Sequence, residues 1–227
     1  MLTVVLAESE LELVPERLKH HPAMQKAAGR RGERAGRTIL DASVHHDALR
    51  GFPDGMRRGR PDMVHFFLLL GLDSVLNKAG GLRLLVHTRN DELIRVSPET
   101  RIMRNQPRFI GLMEQLYRFG VVPQDPPLFR LERGWTLERV IREEAKGPVV
   151  ALSEEARRVN PHRYFSEKAR AGDLTLVLGG FPKGDFRTDV RKLATETVSL
   201  HPESLSIWTV MTEVLAAWED GSGLFPE

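Results

Sequence analysis

Short apolar, β-branched segments alternate along this chain with longer segments of helical periodicity, and this alternation limits the possible folds more than any other feature. Strands that alternate with helices build a sheet of mostly parallel strands. The sequence therefore predicts an α/β fold. The predicted strands, bounded by Gly, Pro or Asp, lie at residues 2–7, 38–43, 82–88, 93–96, 149–152, 174–178 and 196–200.

Four helices are predicted most clearly, from their first residues and from their apolar stripes. One begins at Pro61–Asp62, with proline at the first helical position and an acid in the first turn. In the others, apolar residues three and four apart follow a residue that can cap or open a helix. These helices span residues 107–120, 136–147 and approximately 204–221.

The composition excludes several classes of protein. None of the 227 residues is cysteine, which excludes a disulfide scaffold, a thiolate zinc site, an iron–sulfur cluster and a cysteine nucleophile. A hydrophobic fraction of 41% excludes wholesale disorder. We expect a single domain over residues 1–227, with a basic insertion near 17–37 and a proline-rich surface loop near 121–133.

No membrane or secretory address is evident, so we expect a cytoplasmic protein without a membrane partner. The opening run 2–7 lacks a basic leader, and the apolar block 66–72 is far shorter than the roughly 20 residues of a membrane span. We also expect no metal site. His45, His46 and Asp47 follow a predicted strand, where neighbouring side chains face opposite ways, and no third ligand has useful spacing.

Basic residues are clustered, although the net charge is only 33 − 31 = +2. If residues 100–108 are helical, three arginines share one face, and the guanidinium group suits phosphate. The alternative is a solvated face with ion pairs to Glu99 or Glu114. The clusters taken together favour RNA or DNA binding. They comprise Arg17, Lys19, Lys26, Arg30, Arg31, Arg34 and Arg37; then Arg57, Arg58 and Arg60; and then Arg101, Arg104 and Arg108.

A glycine-rich segment, residues 176–186 (LVLGGFPKGDF), follows the predicted strand at 174–178. Ligands bind at the carboxyl ends of strands in α/β sheets, where glycine permits close approach. Asp185 stands where a phosphate-binding Walker loop requires Lys-Ser or Lys-Thr, and this acid allows a cofactor with positive charge. A tight strand-to-helix turn is the alternative. The second such loop, residues 198–206, precedes the last helix, and if the two loops are neighbours their backbone groups could together bind an adenosine.

Five strings carry a family resemblance: RPDMVH at 60–65, NKAGGL at 77–82, VHT at 86–88, SPETRIMR at 97–104 and RFIGLMEQL at 108–116. They resemble the archaeal and eukaryotic pseudouridine N1-methyltransferases of small-subunit ribosome biogenesis, in the SPOUT (α/β-knot) superfamily. The resemblance covers most of the chain from residue 40 onward. It implies a C-terminal trefoil knot, a homodimer and S-adenosylmethionine as methyl donor.

The resemblance also implies roles for individual residues. Arg60 and Asp62 are the candidate catalytic pair: Arg60 stabilises negative charge on the base, while Asp62 either holds Arg60 or acts as general base, and we favour the holding role. The RNA-contacting residues are Arg60, Arg101, Arg104 and Arg108. The donor-binding residues are Gly179, Gly184, Leu200, His201, Pro202, Glu203, Ser204 and Leu205.

The expected function is S-adenosylmethionine-dependent N1-methylation of a pseudouridine in small-subunit rRNA. The expected partners are that rRNA, a second copy of the chain and ribosomal assembly proteins. One alternative is a non-catalytic rRNA-binding assembly factor, which has no need of the glycines at 179 and 184. Another is a nucleotide-binding α/β enzyme of unrelated chemistry, which the missing Lys-Ser disfavours.

Overall fold

The computed structural model describes residues 1–30 and 32–225, so Arg31 of the first basic cluster lies outside the described residues. The strands are β1 (Leu2–Ser9), β2 (Leu82–Thr88), β3 (Glu92–Val96), β4 (Val121–Val122), β5 (Phe129–Arg133), β6 (Val149–Arg158), β7 (Leu174–Gly179) and β8 (Glu196–Ser199). The helices are α1 (Pro22–Arg30), α2 (Ala42–Leu49), α3 (Pro61–Asp73), α4 (Val75–Lys78), α5 (Gln106–Phe119), α6 (Leu137–Glu144), α7 (Pro161–Ala171) and α8 (Ile207–Gly221).

The strands form one sheet in the order β4-β5-β3-β2-β1-β7-β6-β8. The five strands from β2 to β8 in this order pair in parallel, as the sequence predicts. The other end is antiparallel, because only residues 89–91 join β2 to β3 and a parallel connection needs a much longer crossover. The α/β fold is therefore confirmed, with an antiparallel extension at one edge.

Both faces of the central strand β1 are covered, which explains its continuous apolar sequence. Leu2, Val4 and Leu6 point into the larger core with α3, α5, α7 and α8. Val5 and Ala7 point into a second core on the other face, with α6. Among the described residues, no helix is long and apolar enough to cross a membrane.

The predicted strand at 38–43 is wrong. Only Ile39 forms an isolated antiparallel bridge, with Leu13. Asp41 instead begins α2, and its carboxylate accepts a hydrogen bond from the Ser43 N–H at 2.9 Å. Aspartate is a strong N-cap residue, and this preference outweighs the short apolar run before it. His45, His46 and Asp47 consequently lie on α2, not after a strand.

The proline-rich loop at 121–133 is predicted only in part. Its two ends form the antiparallel pair β4–β5, and residues 123–128 alone lie outside the strands. Phe129 and Leu131 are buried and alternate with charged residues, which is the period-2 pattern of a strand. The three prolines obscured this pattern.

The basic segment at 17–37 has a small hydrophobic core of its own. Met24 and Ala28 of α1 pack there with Leu18, Leu40 and Leu49. The basic side chains project outward from this unit, with Arg17, Lys26, Arg30, Arg34 and Arg37 exposed.

Candidate functional site

A cleft of about 370 Å³ lies at the carboxyl ends of β7 and β8, against the middle of β6. Residues of two loops line it: the glycine loop (residues 180–188), which follows β7, and residues 200–205 between β8 and α8, together with Ser199 at the end of β8. Residues 152–155 of β6 close a third side. The cleft brings together all but one of the predicted donor-binding residues: Gly179, Gly184, Leu200, His201, Glu203, Ser204 and Leu205 line it, and Pro202 lies in the same loop.

The glycines at this end of β7 are closely packed against other parts of the protein. A Cβ at Gly179 would lie 2.7 Å from the ring of Phe181, and one at Gly180 would lie 2.4 Å from Ser9 Oγ. Gly184 has a φ of +83°, which favours glycine. The sequence indicated that glycine admits a ligand to the backbone here. The structure shows that Gly179 and Gly180 admit other parts of the same chain.

Local hydrogen bonds shape the second loop. The Ser199 hydroxyl donates to the His201 carbonyl at 2.8 Å, and His201 Nδ1 accepts from the Glu203 N–H at 3.1 Å. His201 therefore supports a turn. The leucines on either side, Leu200 and Leu205, line the cleft.

The charge lining the cleft is negative. Glu154, Glu155, Asp185 and Glu203 line it, and no lysine or arginine does so within residues 1–30 and 32–225. Of these carboxylates, Glu155 pairs with Arg191 at 2.7 Å. Such a lining is suited to a cationic ligand and unsuited to a triphosphate.

Arg60 and Asp62 form a two-point ion pair next to the cleft. Arg60 Nε donates to Asp62 Oδ1 at 2.8 Å, and its Nη2 donates to Asp62 Oδ2 at 2.6 Å. This hydrogen bonding raises the pKa of Arg60, so the guanidinium stays charged. Arg60 immediately precedes α3, and Met63 in the first turn of that helix lines the cleft. The pair therefore lies about one helical turn from the cleft wall.

The predicted helical face at 100–108 is wrong in its geometry. Residues 101–105 are not helical, and only Arg108 lies in α5, where its N–H donates to the Asn105 side chain at 3.1 Å. A histidine holds the non-helical segment against α3. His65 Nε2 lies 2.7 Å from the Met103 carbonyl oxygen, and its ring stacks on Phe109 at 4.5 Å.

Arg101, Arg104 and Arg108 are nevertheless exposed, and none has an ion-pair partner in the part of the chain that the structure describes. Within the described residues no ion pair joins them to Glu99. Arg104 has an acidic neighbour in Asp73, whose pKa is lowered by Lys78 and, to a smaller extent, by Arg104. The three guanidinium groups remain available to an external anion.

The second basic cluster is mostly not available. Arg57 pairs with Glu8 and Glu10, and Arg58 pairs with Glu12, all through buried carboxylates. Only Arg60 of this cluster remains a candidate for RNA contact. Sequence reasoning did not identify these acids as partners of the arginines. The acids are spaced two residues apart after an apolar run, and this spacing indicates that their side chains lie on one side of the chain.

Two further histidines, His65 and His87, are buried. His65 is described above. His87 Nδ1 accepts a hydrogen bond from the Glu8 N–H at 3.1 Å, and burial lowers the pKa of His87, so its imidazole is neutral near pH 7. Neither ring lines the cleft.

The sheet and its cleft define an α/β protein with a candidate ligand site between the last strand-to-helix loops and with exposed arginines on its surface. Comparisons with known proteins narrow this class. Residues 4–219 match the model of the EMG1/NEP1 methyltransferase family, and the chain belongs to that family.

Relatives and a solved structure are similar over nearly the whole chain. The chain is 47% identical to the ribosomal RNA small subunit methyltransferase Nep1 of Methanothrix thermoacetophila, covering 97% of this chain and 96% of the relative. It is 46% identical to the protein of the same description from Thermococcus kodakarensis, covering 99% and 100%. The crystal structure of Archaeoglobus fulgidus Nep1 bound to S-adenosylhomocysteine is 37% identical, with a TM-score of 0.84 and coverage of 96% and 97%.

Proposed function

We propose that this protein transfers a methyl group from S-adenosylmethionine to N1 of a pseudouridine in small-subunit rRNA, as a step of ribosome biogenesis in the cytoplasm. One observation carries the proposal: α3 joins the two sites. Its first turn lines the acidic cleft through Met63, and the Arg60–Asp62 pair stands at its start. His65 of the same helix contacts the Met103 carbonyl, in the non-helical segment that carries two of the exposed arginines. A methyl donor and an RNA base would meet at that point.

The cleft fits the proposed donor. Its volume of about 370 Å³ suits a molecule of that size, within the usual 300–1,000 Å³ range of small-molecule sites. Leu178, Leu200 and Leu205 offer apolar surface for an adenine ring. Glu154 and Asp185 offer negative charge for a sulfonium and an ammonium group. When bound, S-adenosylmethionine supplies a methyl group on a positively charged sulfur.

Arg60 stabilises the charge that develops on the base. N1 of pseudouridine carries a proton, which must leave as the N–CH₃ bond forms, and negative charge then spreads onto the neighbouring carbonyls. A guanidinium fixed near those oxygens lowers the barrier. Both carboxylate oxygens of Asp62 already accept a hydrogen bond from Arg60, so its role is to orient Arg60, and the proton leaves to water.

Arg101, Arg104 and Arg108 bind phosphates of the RNA strand and so position it without reading its sequence. We expect Arg104→Ala to weaken binding of every rRNA hairpin to a similar degree. The slope of log K against log[salt] should fall by about 0.7 to 0.9, the loss of one phosphate contact. Fluorescence anisotropy at several salt concentrations measures both effects. An unchanged slope would remove Arg104 from the RNA surface.

We also infer that the C-terminal segment is threaded as a trefoil knot and that the protein is a homodimer. The dimer surface comprises Phe66 of α3 and Trp208 of α8, whose rings are 5.1 Å apart although the residues are 43% and 44% exposed. Both helices also line the cleft, through Met63, Ile207 and Val210. The dimer contact would therefore support the donor site of each copy.

Trp208→Ala is expected to weaken the dimer by about 30-fold or more, the usual loss when a central aromatic is truncated. Sedimentation equilibrium over a range of concentrations measures this change. The matched control is Phe119→Ala, which removes an exposed aromatic residue of α5 and should leave the association constant unaltered. Equal behaviour of the two variants would place the interface elsewhere.

Methyl transfer to paired rRNA hairpins tests the proposed function. One hairpin carries pseudouridine in its loop and the other carries uridine at the same position, and the donor is labelled on its methyl group. We expect label on the pseudouridine hairpin alone, at N1. Tight binding of both hairpins at low salt without label on either would favour the non-catalytic assembly factor, with ribosomal assembly proteins as its further partners.

A further inference from the structure

The carboxylate of Glu8 holds the backbone of the glycine loop. Glu8 is buried just before the end of β1, 179 residues away in sequence from Arg187. Its Oε2 accepts a hydrogen bond from the Arg187 N–H at 2.7 Å, and its Oε1 accepts one from the Thr188 N–H at 2.9 Å. A charged acceptor buried among its donors makes stronger bonds than a neutral one. Glu8 therefore fixes the far end of the loop.

Arg57 holds the middle of the same loop. Its Nη1 donates to the Asp185 carbonyl at 2.6 Å, and its guanidinium lies 3.8 Å from the ring centroid of Phe181. Both Asp185 and Phe181 line the cleft. Arg57 is itself fixed, because it also donates to Glu8 at 3.2 Å and to Glu10 at 2.8 Å.

The backbone of Glu8 is in an unusual conformation. Its φ is +49°, in the left-handed region that residues with a side chain rarely adopt. Its N–H donates to His87 Nδ1, so strand β2 fixes this conformation from the other side. Such strain persists where the surrounding structure determines it, and it is concentrated at functional sites.

A second glutamate–arginine pair joins the same two segments but does not reach the cleft. Arg58 donates to the buried carboxylate of Glu12 through Nε at 2.7 Å and through Nη2 at 2.5 Å. Within the described residues, neither of the two has a hydrogen bond or ion pair to the glycine loop. The two pairs are alike in burial. Arg58 and Glu12 share two hydrogen bonds and Arg57 and Glu8 share one, so the decisive difference is that only Glu8 and Arg57 also bind the glycine loop.

We propose that Glu8 and Arg57 are positioning residues, which keep the glycine loop in the shape that binds the methyl donor. The inference depends on the proposed function, since it assigns the cleft to S-adenosylmethionine. Phe181, Gly184 and Asp185 form one wall of that cleft, and Glu8 and Arg57 set the path of the backbone that carries them. Neither Glu8 nor Arg57 itself lines the cleft.

The test compares Glu8→Gln with Glu12→Gln, and Arg57→Lys with Arg58→Lys. Calorimetric titration with S-adenosylhomocysteine measures binding without catalysis. We expect the dissociation constant to rise about tenfold to 100-fold in Glu8→Gln and Arg57→Lys, the usual cost of a lost hydrogen bond to a charged group. In Glu12→Gln and Arg58→Lys the dissociation constant should remain within about twofold of the parent value, because this pair makes no contact with the glycine loop.

Two further measurements separate positioning from general stability. Hydrogen exchange of the Arg187 and Thr188 amides should quicken in Glu8→Gln and not in Glu12→Gln. The KM for S-adenosylmethionine should rise in Glu8→Gln and Arg57→Lys, with kcat retained at saturating donor. If Glu8→Gln does not fold, the Arg57→Lys and Arg58→Lys comparison decides the question.

Equal affinities in all four variants would overturn the proposal, as would equal losses in both pairs. If the unaltered protein binds no S-adenosylhomocysteine, the proposed function fails, and the proposal falls with it. In that case the exchange data still report whether Glu8 fixes the loop. The two failures are therefore distinguishable.

Discussion

Replacing Arg60 by alanine is expected to slow methyl transfer by about 10²- to 10³-fold, the usual cost of removing one group that stabilises developing negative charge. The guanidinium is held at two points by Asp62, so it is in place before the base arrives. The variant should also bind RNA less tightly, because one cation of the arginine surface is lost. Single-turnover kinetics with the pseudouridine hairpin at saturating protein separate the chemical step from RNA binding.

Asp62→Asn is the informative companion to this variant. An asparagine still accepts one hydrogen bond from Arg60, so a holding role predicts a rate within about tenfold of the parent. A general base cannot be replaced in this way. If Asp62→Asn loses as much rate as Arg60→Ala and the loss disappears at higher pH, the carboxylate removes the N1 proton and the holding role is wrong.

The second large effect concerns stability. We expect Gly180→Ala to lower the free energy of unfolding by about 3 kcal/mol, near the upper end of the usual cost of overpacking. A Cβ there would lie 2.6 Å from Ser9 Cα, which is backbone and cannot turn aside. Gly180 is also held on both sides, since its N–H donates to the Ala7 carbonyl at 2.7 Å and its carbonyl accepts from the Glu10 N–H at 3.0 Å.

Gly111→Ala is the matched control for this substitution. Gly111 lies inside α5, and a Cβ there has no atom within 4 Å. Alanine is better than glycine in a helix interior, so this variant should be more stable by roughly 0.5 to 1 kcal/mol. Denaturant unfolding curves with equal slopes measure both changes. A Gly180→Ala protein as stable as the parent would show that β1 and the glycine loop are not packed as described.

The sequence predicted the parallel part of the sheet because its strands are apolar and bounded by turn residues. It did not predict β4 and β5, since prolines dominate that segment, nor the direction of β3, which depends on the length of the turn before it. It misassigned the segment around Asp41, where capping determines the structure and an apolar run does not. A strong local preference such as N-capping determines the structure of a short segment, whereas apolar periodicity over only six residues predicts it less reliably.

The sequence predicted which residues lie together at the candidate site better than it predicted how they are arranged. The cleft contains the donor-binding residues that the family resemblance implied, with Pro202 beside the lining residues. The arginines were predicted as a helical face, and they instead occupy a segment that His65 holds against α3. The role of Glu8 was beyond prediction from spacing, because its partners are 49 and about 180 residues away in the chain.

The position of β1 in the sheet has a consequence for synthesis on the ribosome. Its partner β2 ends at Thr88 and its other partner β7 ends at Gly179, a difference of 179 − 88 = 91 residues. At the usual 5 to 20 residues per second, one side of β1 remains unpaired for roughly 5 to 20 s while the rest of the chain is made. The strand at the centre of the finished sheet is therefore an open edge in the nascent chain, exposed to pairing with other chains until β7 emerges.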